Sequence, residues 1–124
     1  MEETLKELKE VHSSNLIIVV SGNYFRIYDE DAKIIEYCTN LLSRRNVLIC
    51  QYKYIDNIKE LLKKNKINYV ILDKDNNYKS FDYYYSEYNK YNNYLKRSKR
   101  FNLFRKIFIC FYNSMFGLPL NRYK

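Results

Sequence analysis

Apolar and polar positions follow two different periods along this chain, one typical of strands and one typical of helices. Short apolar runs bounded by polar residues predict three buried strands, at 16–20, 47–50 and 69–72. Between these runs, apolar residues recur at helical spacing and predict amphipathic helices that include 2–12, 34–42 and 55–62. Strands that alternate with helices predict an α/β fold, with a small mixed β-sheet of three or more strands packed with helices.

The segment that follows the first strand carries a strand end and a helix start close together. Apolar alternation leaves open whether the first strand continues to Tyr28. Asp29 or Asp31 is suited to cap the following helix, because acidic side chains interact favourably with a positive helix N-terminus. That helix is predicted to extend to Leu42, and the polar sequence Ser-Arg-Arg-Asn at 43–46 then predicts a basic turn.

The residues after the third strand are rich in tyrosine and then in basic residues. Helical spacing predicts a tyrosine-rich helix through Phe81, Tyr84, Tyr88, Tyr91 and Leu95. The same spacing predicts a second helix through Phe104, Ile107, Phe108, Phe111 and Met115. The two are expected to form a C-terminal helical hairpin that covers one face of the sheet. The chain 1–124 is then a single domain, in which 78–118 is a tyrosine-rich and basic helical extension.

The chain is strongly basic. Its 124 residues contain 22 Lys and Arg against 14 Asp and Glu, a net charge of +8. This excess is compatible with a polyanionic partner, although heavy use of Lys, Asn, Ile, Tyr and Phe also fits an AT-rich genome. Clustering is more informative than net charge. The densest cluster is Lys96, Arg97, Lys99 and Arg100, which we interpret as candidate phosphate contacts or, alternatively, as an ordinary solvated face.

Several function classes lack the residues that they require. His12 is the only histidine and the three cysteines show no ligand spacing, so neither a metal site nor a histidine-based triad is expected. Cys38 and Cys50 fall at apolar positions and are predicted to be free, buried thiols of a reducing compartment. Two glycines, Gly22 and Gly117, cannot form a glycine-rich phosphate loop. We expect no cofactor and, since no secretory signal opens the chain, a cytoplasmic protein.

Two alternatives from other functional classes fit parts of the chain. Acidic residues at 29–31 and 73–75 loosely resemble the carboxylates of a metal-dependent nuclease, although helix caps explain them more simply. Residues 101–118 are aromatic and flanked by cations, as in a helix that lies on a membrane surface. Core packing or dimerisation explains that segment more simply. We therefore expect a protein that is neither an enzyme nor attached to a membrane.

Residues 22–33 read Gly-Asn-Tyr-Phe-Arg-Ile-Tyr-Asp-Glu-Asp-Ala-Lys, directly after a buried strand and before a helix. This stretch resembles the N-terminal mismatch-recognition domain of MutS-type DNA mismatch-repair proteins. In that family a strand ends in Gly-x-Phe-Tyr-Glu, and Glu-Asp-Ala then precedes a helix. The family's Phe wedges beside a mispaired base from the minor groove, and its Glu hydrogen-bonds to that base. The resemblance covers residues 5–75.

The resemblance implies a nucleic-acid site built on Gly22, Tyr24 and Arg26. Tyr24 stands at the wedge position and keeps an aromatic face for stacking. Arg26 stands where the family has Glu. The reversed charge is attracted by phosphates and by the negative potential of the groove, and it leaves mismatch preference open. Gly22 is expected either to permit a turn or to let the backbone approach a phosphate closely.

We therefore predict a non-enzymatic domain that binds nucleic acid, with duplex DNA as the partner that the resemblance implies. Tyr24 and Arg26 are expected to act together with the basic cluster at 96–100. The alternative is a protein-interaction module that modulates a DNA repair or defence complex. Its partner would contact exposed tyrosines of the predicted helix, namely Tyr84, Tyr88 and Tyr91. A homodimer is also compatible with the sequence.

Overall fold

The computed structural model describes residues 3–101. Within them, four helices are formed: α1 (Glu3–Val11), α2 (Asp29–Cys38), α3 (Ile55–Lys64) and α4 (91–101). Five strands are formed: β1 (Leu16–Ser21), β2 (Tyr24–Tyr28), β3 (Val47–Gln51), β4 (Tyr69–Asp73) and β5 (Lys79–Tyr84). Short 3₁₀ turns at Tyr52–Tyr54 and Lys74–Asn76 precede α3 and β5.

The strands form one sheet in the order β3-β2-β1-β4-β5. β1 and β4 are parallel, while β1–β2, β2–β3 and β4–β5 are antiparallel. This mixed sheet packed with helices confirms the predicted α/β fold. The three strands predicted from apolar runs correspond to β1, β3 and β4, and the structure adds β2 and β5.

β1 and β2 form a tight hairpin. Ser21 pairs with Tyr24, so only Gly22 and Asn23 connect the two strands. Gly22 has φ +59°, and a positive φ of this kind, which glycine adopts without steric cost, is what the first central position of a II′ turn requires. The first strand therefore ends at Ser21, and the alternating residues up to Tyr28 belong to a separate, antiparallel strand.

The sheet has two unequal faces. One, which we call the helical face, packs against α2, α3 and α4. Its buried sheet residues are Leu16, Ile18, Val20, Phe25, Ile27, Leu48, Tyr69 and Ile71. The other, which we call the open face, packs against α1 mainly over β1 and β4, and the partly buried Tyr28 of β2 also contacts this cluster. That smaller cluster consists of Leu5, Ile17, Val19, Val70 and Leu72. Apart from Tyr28, the half of the open face that β2 and β3 form contributes no residue to this cluster.

The predicted tyrosine-rich helix is wrong over its first half. Residues 79–84 form the edge strand β5, in which Tyr84 pairs with Tyr69 and stacks on its ring at 5.9 Å. Aromatic side chains fit a pleated, half-buried surface well, and here cross-strand packing decides the conformation. A helix begins only at Tyr91. The second helix of the predicted hairpin, 104–115, lies outside the described residues.

The second predicted helix is shorter than its apolar pattern indicates. α2 ends at Cys38, where the Thr39 hydroxyl donates to the carbonyl of Ile35 at 2.7 Å. Leu41 and Leu42 therefore lie beyond the helix, and both are exposed. The prediction that these two residues extend the buried face of α2 is therefore wrong.

Asp31 is buried inside α2 and does not cap the helix. Its carboxylate accepts hydrogen bonds from the Lys9 ammonium at 2.9 Å, from the Tyr91 hydroxyl at 2.6 Å and from the Ile17 amide at 3.0 Å. Burial raises the pKa of Asp31 above its ordinary value, while the Lys9 charge and these hydrogen bonds oppose the rise. One carboxylate thus joins α1, β1, α2 and α4.

Replacement of this carboxylate by an amide, Asp31→Asn, is expected to lower the free energy of unfolding by about 3 kcal/mol. Lys9 and Ile17 both point donors at the carboxylate, so the amide NH₂ of Asn would face donors and Lys9 would lose its counter-charge. Urea unfolding followed by far-UV circular dichroism measures the change. Asp56→Asn is the matched control, because the Asp56 side chain is 82% exposed. Equal stability of the two variants would contradict the prediction.

Candidate nucleic-acid interface

The uncovered half of the open face carries the residues that the sequence singled out. Tyr24, Arg26 and Tyr28 alternate with the buried Phe25 and Ile27, and so project from the opposite side of β2. Their β3 neighbours in register are respectively Gln51, Ile49 and Val47. Tyr24 is 47% exposed and Ile49 is 55% exposed, so β3 is not the fully buried strand that its apolar sequence predicts.

A rigid basic turn borders this surface. Arg44 and Val47 exchange two backbone hydrogen bonds of 2.9 Å, which leaves Arg45 and Asn46 as the two central residues. Both have positive φ, +52° and +64°, as a I′ turn requires. The Asn46 carbonyl accepts a hydrogen bond of 2.7 Å from the Asp29 amide, which fixes the turn to the start of α2. The predicted basic turn is confirmed.

Two concavities follow one another along β2 and β3. The larger, about 880 Å³, is lined by Arg26, Tyr28, Ser43, Arg44, Arg45, Val47 and Ile49. The smaller, about 460 Å³, is lined by Asn23, Tyr24, Gln51, Tyr52 and Lys53. Both are open to solvent. We call this combined surface, from the turn at 43–46 to Tyr52 and Lys53, the β2–β3 trough.

The trough is positively charged, and its charge is not neutralised locally. Arg26, Arg44, Arg45 and Lys53 form no ion pair with any carboxylate in the described part of the chain. Some other cations of the fold are paired, as in Lys59 with Asp82 at 2.6 Å, although most lysines of the described residues are not. Arginines left without carboxylate partners around a concave surface are available to bind anionic groups from outside.

Gly22 serves the turn rather than a phosphate. Its amide donates to the Asp75 carboxylate at 3.0 Å, and the Ser21 hydroxyl donates to the same side chain at 3.2 Å. Of the two roles expected for Gly22, the structure shows the turn, and the Gly22 amide already donates to a carboxylate. The effect of Asp75 is to brace the hairpin that carries Tyr24.

The basic cluster at 96–100 lies in another layer of the protein. α4, which carries Lys96, Arg97, Lys99 and Arg100, packs on the helical face through Tyr94 and Leu95. Lys99 pairs with Glu30 at 3.3 Å, and Arg97 lies over the Tyr94 ring at 5.0 Å. Tyr24 and Arg26 project from the open face. We had expected the cluster to act together with the hairpin tip, but the structure places the two in different layers.

The tyrosines predicted to face a partner are only partly available. Tyr91 is buried on Asp31, and Tyr84 is half-buried against Tyr69. Tyr88 is exposed, as expected. Exposed aromatic residues instead include three that follow the period of β5: Phe81, Tyr83 and Tyr85. They lie at the sheet edge opposite to β3.

The acidic groups do not assemble into a nuclease-like site. Asp31 bonds to Ile17 near the start of β1, whereas Asp73 lies beside Val20 near its end. Within residues 3–101, no group of three or more His, Cys, Asp or Glu side chains is arranged to hold a metal ion. Cys38 and Cys50 are free and partly buried, and burial raises the pKa of both thiols, which makes them weak nucleophiles.

Sequence reasoning missed half of the trough. Tyr28, Arg44, Arg45 and Ile49 line it, yet only the basic character of the turn was evident beforehand. A signal was present in the strict alternation of 24–28, which indicates that one face of this strand is exposed. The alternation does not predict that β2 pairs with β3.

No protein-family model matches this chain, and no curated protein shows significant similarity to it. In the part of the chain that the structure describes, no helix is long and apolar enough to cross a membrane. The function must therefore be inferred from the chemistry of the trough.

Arg45 adopts a conformation that is unfavourable for a residue with a long side chain. Its φ of +52° destabilises the folded state by about 1 kcal/mol. Asn tolerates the left-handed region better, so part of this destabilisation is lost when Asn replaces Arg45. Arg45→Asn is therefore expected to raise the free energy of unfolding by about 0.5 kcal/mol. Thermal unfolding measures the change. Arg44→Asn removes the same charge without relief of a positive φ, and an equal gain in that control would attribute the effect to charge alone.

Proposed function

We propose that this chain is a non-enzymatic nucleic-acid-binding domain, with duplex DNA as the partner implied by its resemblance to the mismatch-recognition domain of MutS-type proteins. One observation carries the proposal. Three arginines without carboxylate partners in the described chain, Arg26, Arg44 and Arg45, surround an open concavity that also contains the exposed Ile49 and the half-buried Tyr28. Phosphates and bases together match this combination of groups.

The roles of the residues follow from their positions in the trough. Arg44 and Arg45 stand on a rigid turn and contact backbone phosphates, for which guanidinium groups are suited by their fork of donors. Arg26 lies between the two concavities and reaches either the backbone or a groove. Tyr24 stands at the braced hairpin tip, where it stacks on or inserts beside a base. Lys96 and Arg100 contribute only a longer-range positive field.

A second function, that of a protein-interaction module, is favoured by a different surface. Tyr83 and Tyr85 are each 73% exposed at the β5 edge of the sheet, and Phe81 and Tyr88 are exposed close by in sequence. Exposed aromatic residues beside an edge strand are typical of protein interfaces, where a partner pairs with the free backbone. This surface is at the opposite edge of the sheet from β3, so the two functions are separable by mutation.

The proposal is tested by fluorescence anisotropy with a labelled matched duplex at about 50 and 200 mM salt. Affinity is expected to fall steeply with salt, because binding to phosphates releases counterions. Arg44→Gln is expected to weaken binding several-fold and to reduce the salt slope by about one unit. Lys64→Gln removes an equal charge from the end of α3, outside the trough, and should change both quantities much less.

Two results would count against nucleic-acid binding through the trough. Equal losses in Arg44→Gln and Lys64→Gln would mean that net charge alone attracts the probe. Weak binding whose affinity changes neither with salt concentration nor in Tyr24→Ala would instead favour the protein-interaction module. A single mismatch in the duplex tests whether the preference of the family persists with Arg26 in place of Glu.

A further inference from the structure

The trough orders its side chains in a way that distinguishes one form of nucleic acid from another. Tyr28, Arg26 and Tyr24 succeed one another on one face of β2, with neighbours about 6.6 Å apart from the rise of a strand. Arg44 and Arg45 lie at the Tyr28 end, and Tyr52 and Lys53 lie at the Tyr24 end. Cations and rings therefore alternate along the whole trough.

A duplex uses such a surface poorly. Its bases are stacked on one another, so that a protein reaches only phosphates, sugars and the base edges in the grooves. The flat faces of bases are accessible only where a strand is unpaired, and there they stack on aromatic side chains. Most of the rings in the trough belong to strand residues in its floor, since Tyr24 and Tyr28 project from the sheet itself.

Ile49 supports the same distinction. It is the cross-strand neighbour of Arg26 and is 55% exposed in the middle of the trough. A phosphate has no favourable contact with an isoleucine side chain, whereas the face of an unpaired base does. An apolar residue flanked by arginines thus fits a strand that turns its bases toward the floor and its phosphates toward the rim.

The floor and rim are also held in place before any ligand binds. Asp75 braces the β1–β2 hairpin, and the Asp29 amide fixes the turn that carries Arg44 and Arg45. Arg45 keeps a positive φ although it makes no ion pair among the described residues. Rigid contact groups lose little conformational entropy on binding, so a preformed trough can hold a flexible strand.

We propose that the β2–β3 trough binds an unpaired nucleic-acid strand in preference to a duplex. Bases pack on Tyr24 and Ile49 and on the exposed part of the half-buried Tyr28, while Arg26 and the turn at 43–46 hold the phosphates. This inference rests on the proposed nucleic-acid-binding function and names the form of nucleic acid that the same site prefers.

The experiment compares two forms of probe on the full chain by fluorescence anisotropy. One is a labelled oligothymidylate of about twelve nucleotides, a length within the site sizes of stacking grooves. The other is a matched duplex of the same length. The single strand is expected to bind at least about tenfold more tightly than the duplex, because only it gains base stacking. An oligouridylate arm distinguishes RNA from DNA as the source of the unpaired strand, and tight binding of either supports the inference.

Two variants test whether the unpaired strand binds in the trough. Tyr24→Ala is expected to weaken single-strand binding by about tenfold, as loss of one stacked base does. Ile49→Glu, which puts a negative charge in the floor, is expected to weaken it by at least as much. Tyr85→Ala is the matched control, since it removes an exposed tyrosine next to β5 and should leave binding unchanged. Thermal unfolding of each variant checks that the fold is retained.

The outcomes distinguish failure of the single-strand preference from failure of the proposed nucleic-acid-binding function. No binding of any probe at low salt overturns nucleic-acid binding itself. Duplex binding as tight as single-strand binding overturns the inference and leaves the proposed function standing. Single-strand binding that is indifferent to Tyr24→Ala and Ile49→Glu also overturns it, because the strand then lies elsewhere on the protein.

Discussion

The buried carboxylate of Asp31 is the contact on which the arrangement of the layers depends. It accepts hydrogen bonds from the Lys9 ammonium of α1, the Ile17 amide of β1 and the Tyr91 hydroxyl of α4, and each of these donors is buried or half-buried with it. A buried charge is tolerated only when it is paired and hydrogen-bonded, so removal of any one donor leaves the carboxylate less well compensated, and removal of the carboxylate deprives all three donors of their acceptor. Lys9 also donates to the Asn15 carbonyl at 2.7 Å, which fixes the end of α1 beside the start of β1.

This anchoring bears on the site, because it determines where α1 lies. With Lys9 held at Asp31, the apolar residues of α1 pack over β1 and β4. The β2–β3 half of the same face stays open, and its outward residues are a mixture of arginine, tyrosine and isoleucine. The structural core and the candidate interface are thus two consequences of one arrangement, in which a single helix covers half of a sheet.

Most of the helices and strands were predictable from the local sequence pattern. Which strands pair and which side chains contact each other was not. Continuous apolar runs marked β1 and β4, since strands buried on both faces need apolar residues at every position. The apolar run of β3 also marked a strand, although one face of β3 is largely exposed. The β5 aromatics satisfied both helical and strand spacing, and pairing of Tyr84 with Tyr69 decided between them. Asp31 looked like a helix cap because its partner Lys9 lies 22 residues earlier in the chain. Tyr24 and Arg26 were found through a motif, while the density of cations at 96–100 carried no information about the layer in which α4 lies.

The trough is marked by a combination of features and not by any one of them. Positive φ also occurs at Lys66 and Tyr78, and most cations of the described residues form no ion pair, as expected of a chain with a net charge of +8. Arg45 combines both features, and the turn that carries it is held by two hydrogen bonds between Arg44 and Val47 and a third to Asp29. What distinguishes this turn is its position, because it fixes Arg44 and Arg45 beside Arg26 and the exposed Ile49 in one concavity. Guanidinium groups held in this way suit anionic groups such as phosphates, and this fit is the basis of the proposed nucleic-acid-binding function.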